Sequence, residues 1–335
     1  MRPTQSTGAQ SACAHTWKAR FRQPGVLPRL LCKTLLCLLC VASAPAATYY
    51  VTVAGLGGEP DYEQRFTAQA HDLDKAFRGG SSTAHVYTLT GPQATAAQLR
   101  STIAAVAASS AAGDDFVLVL IGHGSFDGTE YKFNLVGPDL SATEIAALCD
   151  RVPAKRQLVV DTTSASGGAI AALAKPGRAV LAATKSGTEK NATVFARYWV
   201  EAMQDPAADI DKNDALTAME AYTYAAKKTA AFYDGQKRLA TEHAVFNDAG
   251  RGDPVREAGN GQGQLLSSFT ILRSGATQRM GSDPAKQALL ARKEALEAKI
   301  DSLKYGKAAM EPGEYRRQLT ASLVELARVQ GELDK

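Results

Sequence analysis

Cysteine is nearly missing from most of this chain. Of five cysteines in 335 residues, Cys13, Cys32, Cys37 and Cys40 stand before residue 41 and only Cys149 follows. One thiol excludes a disulfide framework over the rest of the sequence, even in an oxidising compartment. Acidic residues are missing from the leading stretch: residues 1–47 hold no Asp or Glu, against Arg2, Lys18, Arg20, Arg22, Arg29 and Lys33. A basic start, a short apolar block over residues 35–44 and the small residues of Ala42-Ser-Ala-Pro-Ala-Ala47 describe a secretory signal peptide spanning 1–47. The apolar block is too short to cross a bilayer comfortably. The chain is therefore expected to be secreted or periplasmic, with no membrane association after cleavage. An Arg-rich transit peptide is the alternative, and the compact leucine block argues against it.

Excess positive charge is absent too. The formal net charge is +4, and six positive charges and no acids lie in residues 1–47, so the remainder stands at −2. The basic pI thus gives no ground for nucleic-acid binding. A Gly-x-Ser-x-Gly elbow is also lacking, which argues against a serine esterase. Cys149 stands beside Leu148 in a helical pattern, where a buried structural thiol is expected rather than a nucleophile.

What remains is an alternation of strands and helices. Tyr49-Tyr-Val-Thr-Val reads as a first strand, His85-Val-Tyr-Thr-Leu89 as a second and Phe116-Val-Leu-Val-Leu-Ile121 as a third. Gln157-Leu-Val-Val-Asp161 and Arg178-Ala-Val-Leu-Ala-Ala-Thr184 follow. Between them, Tyr62, Phe66, Ala70, Leu73 and Phe77 recur at helical spacing, Thr95 can cap a helix carrying Leu99, Ile103 and Val106, and Ser141-Ala-Thr-Glu144 makes a capping box. The pattern predicts an α/β domain over 48–276, with a mostly parallel sheet and helices on both faces. A helix is expected from Leu216 through Tyr224, a late strand over 265–272, and His243 in the core. Residues 277–335 are rich in Ala, Leu, Lys and Glu. Leu289, Leu296, Ile300 and Leu303 make one stripe, and Leu319, Leu323, Leu326 and Leu333 another, on either side of Pro312-Gly313. A C-terminal helical hairpin or short coiled coil is expected, and self-association through these helices is one expectation.

Two strand ends carry chemistry. The third strand stops at Gly122-His123-Gly124, and ligands of open parallel sheets bind outside the carboxyl ends of strands. His123 there can act as a base near neutral pH, or simply finish the strand with its ring nitrogens satisfied. Gly124 leaves its N–H free to approach a substrate oxygen. The next strand ends at Asp161-Thr-Thr-Ser-Ala-Ser-Gly167, where Ser164 can be a nucleophile if a base stands nearby, or part of a polar turn.

This layout resembles the caspase-like cysteine peptidases, and within them the legumain family, over roughly 48–250. That pattern is strand-His-Gly, then helix, then strand-(Asp/Glu)-x-Cys-x-Ser-Gly. The resemblance implies a caspase-like three-layer sandwich and hydrolysis of a peptide or protein substrate, without a required cofactor. It assigns catalysis to His123, Ser164 and the Gly124 backbone, and it makes the segment carrying Lys185 and Ser186 a substrate-pocket loop. Serine stands where the family has its nucleophilic cysteine, Thr162 stands at the acidic position, and Asp161 is one residue early. An alcohol does not ionise beside a histidine as a thiol does. Two functions compete: a hydrolase acting through His123 and Ser164, and a non-catalytic homologue that keeps the cleft for binding. The serine tips the balance slightly toward weak or absent turnover.

A separate motif lies at 209–220. Asp209, Asp211 and Asn213 occupy the first, third and fifth places of an EF-hand-type loop, Ala215 offers its carbonyl at the seventh and Glu220 takes the twelfth. Asp214 stands where the motif has glycine. Calcium binding is one expectation. An acidic helix N-terminus is the other.

Overall fold

A computed structural model of the chain describes residues 46–80, 83–274 and 283–335. The expected signal segment, with its four cysteines, lies outside the described residues except for its last two positions.

The first strand, β1 (Thr48–Ala54), leads into helix α1 (Pro60–Gly80), then β2 (Ala84–Leu89), α2 (Ala96–Ser109) and β3 (Asp115–Ile121). A small antiparallel sheet follows, β4 (Gly124–Phe126), β5 (Tyr131–Phe133) and β6 (Leu140–Ser141), and then α3 (Ala142–Cys149) and β7 (Arg156–Asp161). Next come α4 (Ile170–Leu173), β8 (Arg178–Ala182), α5 (Phe195–Ala202), β9 (Ala215–Thr217), α6 (Ala218–Gly235), β10 (Val245–Asn247), α7 (Gln264–Ser268) and β11 (Thr270–Arg273). Helices α8 (Pro284–Gly306) and α9 (Pro312–Leu333) form the C-terminal hairpin.

The main sheet has six strands in the order β10-β8-β7-β3-β1-β2. All neighbours pair in parallel except β10, which runs antiparallel to β8. Because successive side chains of a strand point to opposite faces, β3 feeds two cores. Val117, Val119 and Ile121 pack with Phe66 and Phe77 of α1, Trp199 of α5 and Tyr222 of α6. Phe116, Leu118 and Leu120 pack with Leu99 and Ile103 of α2 and Ile145 and Leu148 of α3. The result is the expected three-layer α/β arrangement with a mostly parallel sheet. The expected caps are present: Thr95 accepts the Gln98 N–H, and Ser141 and Glu144 bond reciprocally.

Three expectations need correction. Leu216 belongs to β9, not to a helix, because Thr217 caps α6 and forces its own residue and the preceding ones into extended backbone. The apolar run 265–272 divides: Gln264–Ser268 is a helical turn after Gly263, whose positive φ ends the preceding loop, and only Thr270–Arg273 is strand. In the hairpin, Leu290, Val329 and Leu333 make the shared core with Leu289 and Leu296, while Leu323 is 47% exposed. Helix α8 is tied to the domain, with Tyr305 Oη 2.8 Å from Ser267 Oγ and Glu294 accepting two bonds from Arg273 at 2.9 and 2.8 Å.

Arg178, at the start of β8, is 1% exposed. It donates to Gln157 Oε1 at 2.8 Å and to the Leu173 carbonyl at 3.2 Å, and it pairs with Asp150. It therefore joins two parallel strands to the C-terminal ends of α3 and α4. Arg178→Ala leaves buried acceptors unmatched and a cavity, and should lower unfolding free energy by about 3 kcal/mol. A urea midpoint unchanged from the native protein would contradict this role.

Candidate functional site

Strands β3 and β7 are neighbours, with Leu120 opposite Asp161. Their carboxyl ends therefore deliver His123 and Ser164 to one edge of the sheet. Gly124 opens β4 directly against the Ser164 turn. Its N–H donates to Ser164 Oγ at 3.1 Å, and the Ser164 hydroxyl donates to the Gly124 carbonyl at 2.9 Å. Ser164 is 3% exposed. Only glycine fits opposite it: a Cβ at position 124 would lie 2.4 Å from the Ser164 carbonyl oxygen and 2.6 Å from Thr163 Oγ1.

His123 is half-buried. Its ring meets Tyr62 and Phe66 of α1 edge-on, with centroids 4.7 and 5.1 Å away. Burial lowers its pKa, helped by the positive charge of Arg65, while a backbone hydrogen bond to Gly57 and the charge of Glu59 oppose this. The imidazole is thus held neutral at pH 7 and has the right protonation state for a base. Among the described residues, no hydrogen bond joins the ring to Ser164.

Asp161 does not form a triad with His123. Its carboxylate Oδ1 accepts the Thr163 N–H at 3.1 Å and the Thr163 hydroxyl at 2.7 Å, and Tyr131 Oη lies 2.7 Å from the same hydroxyl. Oδ2 has no partner among the described residues. Burial, opposed chiefly by the hydrogen bonds from Thr163, pushes this carboxyl up to about 6. Thr162, at the position the resemblance makes acidic, donates instead to the Leu120 carbonyl at 2.8 Å.

The Ser164 turn is held from its other side by the loop after β8. Ala165 is buried with φ +57°, a left-handed conformation uncommon outside glycine. Its N–H donates to the Glu189 carbonyl at 2.8 Å. The Glu189 carboxylate accepts the Lys185 N–H at 2.9 Å and the His243 N–H at 3.1 Å, and lies 2.5 Å from His243 Nδ1. Gly167 abuts Ser186 so closely that a Cβ there would be 2.2 Å from its amide nitrogen. Lys185 and Ser186 are therefore brought beside the Ser164 turn, with the Lys185 side chain exposed and Ser186 Oγ 2.7 Å from Thr188 Oγ1. His243 is not a core residue. Its side chain is 27% exposed on the segment before β10, because Glu189 draws its ring to the loop. Glu189 and Thr163 were not foreseen as site residues, and no local spacing marks either one.

The 209–220 loop is a distinct cluster. Oxygen atoms of Asp209, Asp211 and Glu220 all lie within 4.8 Å of one another. Asp209 accepts the Asn213 and Asp214 N–H groups at 3.2 and 3.1 Å, and Glu220 accepts the Ile210 and Thr217 N–H groups at 2.9 Å each. Asn213 Oδ1 accepts the Ala215 N–H at 2.8 Å. Asp214 adopts φ +64°, so the aspartate makes the left-handed turn where the motif has glycine. Burial and the charges of Glu220 and Asp209 push Asp211 up to about 6. Three carboxylates with only oxygen donors suit a hard divalent cation such as calcium.

No family model matches the chain, and no curated protein matches it. Among solved structures, protein GSU0716 from Geobacter sulfurreducens is 15% identical, covering 62% of this chain and 95% of its own, with TM-score 0.41. The Drosophila initiator caspase Dronc is also 15% identical, covering 63% of this chain and 82% of its own, with TM-score 0.41.

The raised pKa of Asp161 sets a pH dependence. The folded state holds this proton more tightly than the unfolded chain, so the associated stability is complete below the ordinary aspartate value of 3.8 and is lost as pH rises through about 6. Asp161→Asn removes that dependence. The variant should gain on the native protein by about 2–3 kcal/mol between pH 4 and pH 7 in urea unfolding. Parallel pH profiles for the two proteins would refute the assignment.

Proposed function

We propose that this chain is a caspase-fold peptidase homologue whose strand-end site binds extended peptide and does not cleave it. The observation that carries this is the reciprocal pair between Ser164 and Gly124. A serine nucleophile needs a base to take its proton as it attacks. Here the proton rests on a carbonyl, and the Gly124 N–H that would hold an oxyanion is engaged by the hydroxyl itself. Lys185 and Ser186 line the peptide-facing loop in this proposal. Export through the 1–47 segment, to the periplasm or the exterior, completes it.

A serine peptidase is the second reading. Two observations favour it: burial holds His123 neutral, and a left-handed residue directly follows Ser164, as local strain often does at reactive groups. A fluorogenic peptide library separates the two. Under the first proposal the native chain is silent, and Ser164→Cys gains turnover that His123→Ala abolishes. Turnover by the native chain, lost in both Ser164→Ala and His123→Ala, would establish the second.

We propose also that calcium binds the 209–220 loop through the Asp209, Asp211, Asn213 and Glu220 side chains and the Ala215 carbonyl. Self-association through the C-terminal helices remains part of the proposal. Calcium at a hundredfold excess over Kd should raise unfolding free energy by about 2.7 kcal/mol. Asp209→Ala should abolish the rise, and calorimetry without heat of binding would contradict the site.

A further inference from the structure

The segment joining α6 to β10 carries the most exposed large apolar side chain among the described residues, Leu239 at 92%. It follows Lys237-Arg238, and every residue from 234 to 239 is exposed. The chain has five adjacent pairs of basic residues. Lys227-Lys228, Arg292-Lys293 and Arg316-Arg317 lie within α6, α8 and α9, and Arg156 of Lys155-Arg156 begins β7. Lys237-Arg238 alone is free of helix and strand. Endoproteases bind their substrates extended, so a pair inside a regular element is withheld and a loop pair is available.

Local bonding points to one peptide bond. The last backbone bond of the α6 terminus runs from the Arg238 N–H to the Tyr233 carbonyl at 3.0 Å, and Lys237 adopts φ +53°. Beyond it, no hydrogen bond engages residues 239 and 240 among those described. The loop closes again where Tyr233 Oη lies 3.0 Å from Thr241 Oγ1 and donates to Glu242 at 2.9 Å. Glu242 in turn accepts the Val194 and Phe195 N–H groups at the start of α5, at 2.7 and 3.1 Å, and His243 binds Glu189. The far end of this exposed loop is therefore the strap over the Glu189 hub, which holds Ala165 after Ser164.

We propose that the Arg238–Leu239 bond is a processing site for an endoprotease selective for paired basic residues, and that cutting it loosens the strap over the Ser164 turn. Hydrolysis adds one water, leaving a carboxylate on Arg238 and an ammonium on Leu239. The product stays folded, because α6 lies in the core on one side and β10 pairs with β8 on the other. The strap then begins at a free chain end instead of a tied loop, so Glu242 and His243 release their partners more often. This holds whether the Ser164 turn binds or cleaves.

The test treats the full chain with an endoprotease specific for paired basic residues. One cut is expected, with Leu239 as the new N-terminus and both fragments eluting together. Amide exchange over residues 184–190 should rise several-fold after the cut, with exchange in β3 unchanged. The exposed double variant Lys237→Gln/Arg238→Gln should resist. Earlier cutting at another pair, resistance of the native chain, or equal cutting of the variant would overturn the site. A clean cut that leaves exchange at 184–190 unchanged would overturn the coupling.

Discussion

The site depends on one pair of reciprocal hydrogen bonds, between the Gly124 backbone and the Ser164 hydroxyl. These bonds join the ends of two adjacent parallel strands at the point where the ladder has run out. Gly124 has no room for a side chain there, and Ala165 bends into a left-handed conformation immediately afterwards. The geometry of the neighbouring turn follows from this closure. The same two bonds occupy the groups that peptide hydrolysis would need, so a structural fastening and a catalytic pair compete for the same atoms.

Around that fastening the side chains fall into two groups. On one side is a buried polar set, Asp161, Thr163 and Tyr131, in which one carboxylate oxygen has no partner among the described residues. On the other is the Glu189 hub, which binds the turn through its carbonyl and binds Lys185 and His243 through its carboxylate. His123 belongs to neither. It sits against the aromatic rings of α1, neutral and, among the described residues, without a hydrogen bond to the serine. An alcohol fixed by backbone groups, with no hydrogen bond to the base among the described residues, lacks the proton acceptor that a serine nucleophile needs as it attacks.

Much of the layered fold was legible because it rests on local signals. The apolar run 116–121 ends at glycine, and the caps at Thr95 and Ser141 lie within one turn of their partners. The strand ends carrying His123 and Ser164 could be placed on one edge because parallel strands expose the same end. The small sheet β4–β6 and strands β9 and β10 were not foreseen. Each is two or three residues long and exists only through pairing. The Glu189 hub was equally hidden, since His243 lies 54 residues away in sequence. The state of Ser164 could not be read either, because its partner is the backbone of a residue 40 positions earlier.

A phosphonofluoridate probe measures whether Ser164 is an activated alcohol. Such a probe phosphonylates serines whose proton a base can remove, and intact mass reports the adduct. The account predicts no adduct on Ser164 at neutral pH while the protein is folded. Stoichiometric labelling of Ser164 that disappears in His123→Ala would contradict it.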